Sequence, residues 1–197
     1  PNISVRLRLS DRKVDLLVDG LDVAFFAGVP PESELKMRKI ADSPRVLCAS
    51  PDYLPRRGVP ATPDDLGGGR HNCLLLRFPR SQEYFWTLET PEGPHKYQLS
   101  GSYDSDDGDV LTAWALDHRG ITNKPVFDVA EHLESGRLVE VLPDTPPVAG
   151  VFGCLYPHRR LQDPKIRLFI DFVIEESREQ VRMLNLAAKR TKQYARD

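Results

Sequence analysis

Apolar and polar residues alternate strictly at the start of the chain. Ile3, Val5, Leu7 and Leu9 are separated by Ser4, Arg6 and Arg8. A period of two predicts a strand with one buried face. Ser10 then offers a helix N-cap, and Asp11 suits a helix amino terminus. Val14, Leu17 and Val18 fall on one helical stripe that Gly20 ends. Residues 21–26 are nearly all apolar, which predicts a central parallel strand covered on both faces. Strand, helix and strand in that order imply a βαβ unit with a right-handed crossover.

Two strands come next, at 36–40 and 45–49, separated by Asp42-Ser43-Pro44. Ser50-Pro51 reads as the cap of a short helix closed by Gly58, and Thr62-Pro63 repeats that signal. Gly67-Gly68-Gly69 is a flexible break without the Lys-Ser/Thr of a phosphate loop. Residues 73–78 predict a strand, and 85–88 with 97–99 a hairpin. A helix is expected over 106–117, a strand at 120–122, a helix from Pro125 to Leu133, and a strand at 138–142. A last strand at 151–156 precedes the clearest helix, capped by Asp163-Pro164 with the stripe Ile166, Phe169, Ile170 and Val173. Beyond Glu175 the pattern turns polar and reads as a solvated helical extension.

This order of elements is α/β. A chain that leaves a first lobe near Cys73 and returns near Val151 makes two lobes with a crevice between them. The division expected is 1–73 for the first part of lobe one, 74–152 for lobe two, 153–176 for the return, and 177–197 for the extension. The 197 residues carry 27 Lys and Arg against 29 Asp and Glu, a net charge of −2. That balance suits a poor stand-alone nucleic-acid binder, because phosphate backbones need a surplus of cations. The longest apolar runs fall far short of the roughly 20 residues of a membrane-spanning helix. Three widely spaced cysteines, Cys48, Cys73 and Cys154, form no disulfide framework and read as small buried residues of a reducing compartment. The chain opens with neither Met nor a secretory signal pattern, so it is expected to continue a longer, cytoplasmic protein.

Several segments in order resemble one family. Asp15-Leu16-Leu17-Val18-Asp19-Gly20-Leu21-Asp22-Val23-Ala24 is similar to the "D-L-hydrophobic-x-G-x-D-hydrophobic-A" stretch of LysR-type transcriptional regulators. Val46 to Leu54 resembles that family's strand followed by "A-S-P-x-Y-L". Gly58 to Leu66, then His71, fits "G-x-P-x-x-P-x-D-L…H", and Ser105-Asp106-Asp107-Gly108 fits "S-N-D-G". Gly120-Ile121 with Pro125, Gly136-Arg137-Leu138-Val139, Tyr156-Pro157 and Arg167 to Phe172 complete the series over roughly residues 10–175. The resemblance implies an effector-binding domain of two Rossmann-like lobes joined by two crossover strands, the type 2 periplasmic-binding-protein-like fold. It also implies that Pro1 stands near the family's second strand, so the first strand and helix of lobe one are lacking. Promoter DNA would be bound by an N-terminal winged helix-turn-helix. The full-length protein would be a homodimer or homotetramer, without membrane attachment.

Ligands of open α/β sheets sit beyond the carboxyl ends of strands, at helix amino termini. That rule and the resemblance together select Ser10, Phe26, Ser50, Ser105, Asp106 and Thr122 as effector contacts. Many relatives carry Arg where Phe26 stands and Asn where Asp106 stands. A guanidinium pairs with a carboxylate effector, whereas Phe26 cannot. A neutral, aromatic or cationic co-inducer is therefore expected, with no other cofactor. Asp104, Asp106, Asp107 and Asp109 miss the spacing of a calcium loop, and the five histidines show no zinc-binding spacing. No nucleophile elbow is present, so no enzyme activity is expected. His118 and Arg119, where relatives often have Gly and an apolar residue, are read as facing water. The rival readings are a periplasmic solute-binding protein and an enzyme on a similar scaffold.

Overall fold

The computed structural model describes residues 3–10, 15–28, 35–77, 84–158, 160 and 163–194. The chain divides into two compact units, Pro1–Ser43 with Gly150–Met183, and Pro44–Ala149 with Leu184–Asp197. Residues 44–73 thus sit with the segment expected to form lobe two, because their strands pair there.

The first unit holds a three-stranded antiparallel sheet, ordered β1 (Ala24–Gly28), β10 (Gly150–Tyr156) and β2 (Lys36–Ser43). Helix α4 (Pro164–Tyr194) lays Ile170 and Ile174 against Ile40, Cys154 and Tyr156. Phe169 meets Phe25 edge-on at 6.3 Å between ring centroids. The predicted stripe of α4 is real and extends to Ile174, while Leu168 and Phe172 remain exposed. The segment beyond Glu175 continues the same helix.

Three expectations fail in this unit. Residues 3–9 form no strand, and Ile3, Val5, Leu7 and Leu9 are exposed. Alternation supplies an apolar face, but a strand also needs a neighbouring backbone to pair with, and none pairs here among the described residues. The helix expected after Ser10 falls partly on 11–14, outside the described residues. Its remaining part is a turn closed by Asp19 N–H to Asp15 C=O at 2.8 Å, with Gly20 at φ 66°. The run 21–26 gives no central parallel strand. β1 is the half-buried edge of an antiparallel sheet, with Phe26 opposite Gly153. The parallel crossover of a Rossmann-like lobe is therefore absent among the described residues of this unit.

The second unit is built on a mixed five-stranded sheet, ordered β7 (Tyr103–Ser105), β4 (Cys73–Leu76), β8 (Ile121–Pro125), β3 (Arg45–Ala49) and β9 (Val139–Val141). β4 runs parallel to β7 and β8, and β3 runs antiparallel to β8 and β9. Alternation along β3 sends Leu47 and Ala49 to one face and Val46 and Cys48 to the other. The first face is covered by the hairpin β5 (Phe85–Thr90) and β6 (Gly93–Gln98), with Trp86, Leu88 and nearby Leu99. The second is covered by α2 (Gly108–Leu116) and α3 (Val126–Glu134), through Leu111, Ala115, Val129 and Leu133. Burial on both faces explains why β3 and β4 read as continuous apolar runs.

The chain is drawn tightly over the start of β4. A Cβ at Gly101 would stand 2.1 Å from the Cys73 carbonyl oxygen, and one at Gly120 the same 2.1 Å from that of Asn72. All three cysteines are buried. Burial pushes the Cys48 and Cys73 thiols up to about 12, so they serve as small apolar residues.

Candidate functional site

The expectation that Ser50 caps a helix fails. The next helix, α1 (Leu54–Arg57), begins only after Tyr53, and Gly58 at φ 83° closes it. Because β3 runs against β8, its carboxyl end lies at the amino ends of β4 and β8. Ser50 therefore stands at the opposite end of the sheet from Ser105, which ends β7. Both were expected beyond the carboxyl ends of strands on one side of a sheet, and the antiparallel β3 separates them.

At the carboxyl end, Asp107 caps α2 by accepting the N–H groups of Asp109 at 2.9 Å and Val110 at 3.2 Å. Ser105 Oγ accepts the Asp107 N–H at 3.1 Å. Asp106 is half-buried in the same turn. Arg77 donates to both carboxylate oxygens of Asp104 at 3.0 Å. Buried Lys124 donates to the Gly108 carbonyl at 3.0 Å and pairs with the Asp128 carboxylate. The donors here are thus largely taken by the chain's own acids. Ser105 and Asp106, two of the expected contacts, stand together at this end of the sheet.

At the amino end, His118 Nδ1 shares a hydrogen bond of 2.8 Å with Ser50 Oγ, and its Nε2 lies 3.5 Å from Asp52 Oδ2. His118 is half-buried and adopts φ 62°, the left-handed position just after α2 where glycine is favoured. The reading that it faces water is incomplete, since its ring ties the α2 terminus to β3. Ser50, His118 and Asp52 resemble the order of a nucleophile, a base and an orienting acid. Ser50 is only 1 % exposed, so its hydroxyl is closed to a substrate and the trio reads as a structural tie.

Beside it, Tyr53 Oη accepts the Asn72 N–H at 2.9 Å and lies 3.5 Å from His71 Nδ1. Asn72 in turn donates to the Arg119 carbonyl at 2.7 Å and accepts the Ser102 N–H at 2.7 Å. Burial and the neighbouring Arg70 hold His71 below its ordinary value of 6.5, so the ring is neutral at pH 7. Its Nε2 is buried without a hydrogen-bond partner. Thr122 Oγ1 is likewise buried and unpartnered on β8.

The remaining predicted contacts lie in the other unit. Ser10 is exposed, and Phe26 is half-buried on β1. Sequence reasoning left Tyr53 and His71 as motif positions without a role. Among the described residues, no group of three or more His, Cys, Asp or Glu is placed to hold a metal ion, and no helix is long and apolar enough to cross a membrane.

A family model described as the LysR substrate binding domain matches residues 1–178. The chain belongs to the LysR substrate-binding-domain family. DmlR, an HTH-type transcriptional regulator of Escherichia coli K12, is 33 % identical over 173 residues, covering 88 % of this chain and 55 % of that protein. The Escherichia coli K12 activator TtdR is 28 % identical over the same share of each. The chain spans just over half the length of these relatives. The regulatory domain of CrgA from Neisseria meningitidis superposes with a TM-score of 0.67 at 28 % identity, over 81 % of this chain and 77 % of that one. Full-length AphB, a Vibrio cholerae virulence activator of the LysR type, superposes with a TM-score of 0.71 at 33 % identity, over 89 % and 59 %. The fold is therefore the α/β, type 2 periplasmic-binding-protein-like fold of LysR regulatory domains, as the resemblance implied. The relatives are transcriptional regulators rather than transport proteins or enzymes.

Proposed function

We propose that this chain is the effector-sensing and oligomerising part of a bacterial, cytoplasmic LysR-type transcription factor. The family match over residues 1–178, joined to likeness with full-length AphB, carries the reading. In the complete protein an N-terminal helix-turn-helix binds promoter DNA, and the protein acts as a homodimer or homotetramer. A small co-inducer that binds one conformation better than another shifts the population and so the posture of the DNA-binding segments. No further cofactor and no catalysis enter this reading.

The co-inducer is a neutral, aromatic or cationic molecule, and of the six expected contacts Ser105 and Asp106 are the pair retained, since Ser50 and Thr122 are buried. Apolar Phe26 and acidic Asp106 support that class. The split of Ser50 from Ser105 weights the set towards Ser105 and Asp106, whose polar atoms stand at a sheet's carboxyl end. The test reads the frame upstream of Pro1 and then assays the complete gene product on its own promoter. A helix-turn-helix followed by promoter binding, altered by an aromatic or cationic compound and blunted in Asp106→Asn, is the expected result. A secretory signal in place of that segment would overturn the regulator reading. Blunting of the response to a small dicarboxylate in Ser10→Ala would overturn the effector class alone.

A further inference from the structure

The amino end of the second unit's sheet encloses a basin of about 530 Å³. That volume is in the range of small-molecule sites. Its wall carries Arg56, Arg57 and Arg119 with His71 and His118, and among the described residues no carboxylate lines it. The nearby acids are few. Asp117 accepts from Arg119 Nε at 2.8 Å, Asp52 stands 3.5 Å from His118, and Asp65 is turned to the Ala61 and Thr62 N–H groups at 2.8 and 2.9 Å. Among the described residues, no carboxylate comes within ion-pair distance of Arg56 or Arg57. Arg56 commits one N–H to the Asp52 carbonyl at 2.9 Å, which anchors its stem.

Buried donors point the same way. Tyr53 already accepts an N–H from Asn72, so its own hydrogen is free to turn towards His71 Nδ1. The neutral ring then carries its proton on Nε2, a buried N–H with nothing to receive it. A buried donor without a partner costs free energy that an arriving acceptor would recover. Arginines with uncommitted forks, an unpartnered imidazole N–H and the exposed Ser102 make a surface rich in donors and without a carboxylate. Carboxylate and phosphate oxygens are the ligands that match such a surface.

We propose that this basin binds a small anion bearing carboxylate or phosphate oxygens. Arg56 and Arg57 supply the principal charges, His71 a buried donor, and Arg119 a further charge now shared with Asp117. The concave shape and the chain's net charge of −2 fit a compact anion rather than the extended backbone of a nucleic acid. The site is distinct from the co-inducer contacts at the carboxyl end of β7, and binding here needs no DNA. Its outcome is therefore separate from that of the promoter assay.

Calorimetric titration of the whole chain with inorganic phosphate and with succinate, against sodium chloride at matched ionic strength, tests the assignment. Saturable binding of at least one anion is expected, and whichever binds more tightly names the phosphoryl or carboxylate class. Both Arg56 and Arg57 are exposed, so Arg56→Gln and Arg57→Gln leave the core intact; each should weaken binding about tenfold or more. Asp117→Asn releases Arg119 and should tighten binding severalfold. Arg137→Gln, away from the basin, should change nothing. The assignment is overturned if neither anion binds beyond the chloride control, or if both arginine variants bind as the parent does. It is also overturned if duplex DNA of arbitrary sequence binds more tightly than either anion with the same variant dependence.

Discussion

The two units answer the same problem, covering a sheet, in different ways. The second unit buries both faces, one under a hairpin and one under two helices. The first has a three-stranded sheet with one core, shared with a single helix. Two-sided burial leaves a sequence little freedom, so β3 and β4 are apolar at nearly every position. One-sided burial leaves exposed apolar positions, such as Leu168 and Phe172 on α4. Apolar content alone therefore did not separate a covered strand from an uncovered segment, and residues 3–9 are the clearest case.

Truncations on the two sides sharpen the contrast most. Leu47 is 1 % exposed inside the doubly covered sheet, and Leu47→Ala should cost about 3 kcal/mol through lost burial and the cavity left behind. Leu168→Ala in the first unit should change stability by no more than about 0.5 kcal/mol, because Leu168 is 60 % exposed. Urea unfolding of both variants checks the pair. Equal losses would mean that α4's outer face is covered in solution.

A smaller effect concerns the tie between α2 and β3. His118→Ala removes the Ser50 hydrogen bond while keeping a side chain at φ 62°. His118→Gly removes the same bond but relieves the left-handed strain, so it should be the more stable of the two by about 1 kcal/mol. Thermal unfolding of the two variants, side by side, reads the difference. If the Ala variant is the more stable, the strain argument fails.

The smallest effect is a pH dependence confined to the second unit. Because His71 is held neutral in the fold, the unfolded chain takes up a proton near 6.5 that the folded chain refuses. Stability should therefore fall as pH drops below 6.5 and level off below the lowered folded value. Unfolding at pH 7.5 and 5.5 should show a shallower loss in His71→Gln than in the parent. An equal slope would assign the effect elsewhere.

Much of the second unit was legible in sequence. The strand at 45–49, the strand beginning at Cys73 (expected over 73–78, found over Cys73–Leu76), the hairpin, and helices α2 and α3 all announced themselves through periodicity, caps and turn residues. The long helix did so through its stripe at Ile166, Phe169 and Ile170. The candidate site was less legible. Ser50 was picked out as a polar residue after a strand, correctly, but the direction of β3 within its sheet is not written in those five residues. His71 and Tyr53 carried no local signal beyond a motif position, because their pairing joins residues 18 apart.

Local pattern thus determined most strands and helices of the second unit and the long helix of the first, and the family to which the chain belongs, since both depend on nearest-neighbour chemistry and on short ordered motifs. Tertiary structure alone decided which strands are parallel, which apolar runs find cover, and which polar groups meet. Ser50 with His118, and Arg56 and Arg57 with His71, are brought together by strand order and by loops drawn tightly over the Cys73 and Asn72 carbonyls at Gly101 and Gly120. The physical reason is that backbone pairing and close approach are made between segments distant in sequence. A side chain's neighbours across a sheet therefore exist only after the sheet does.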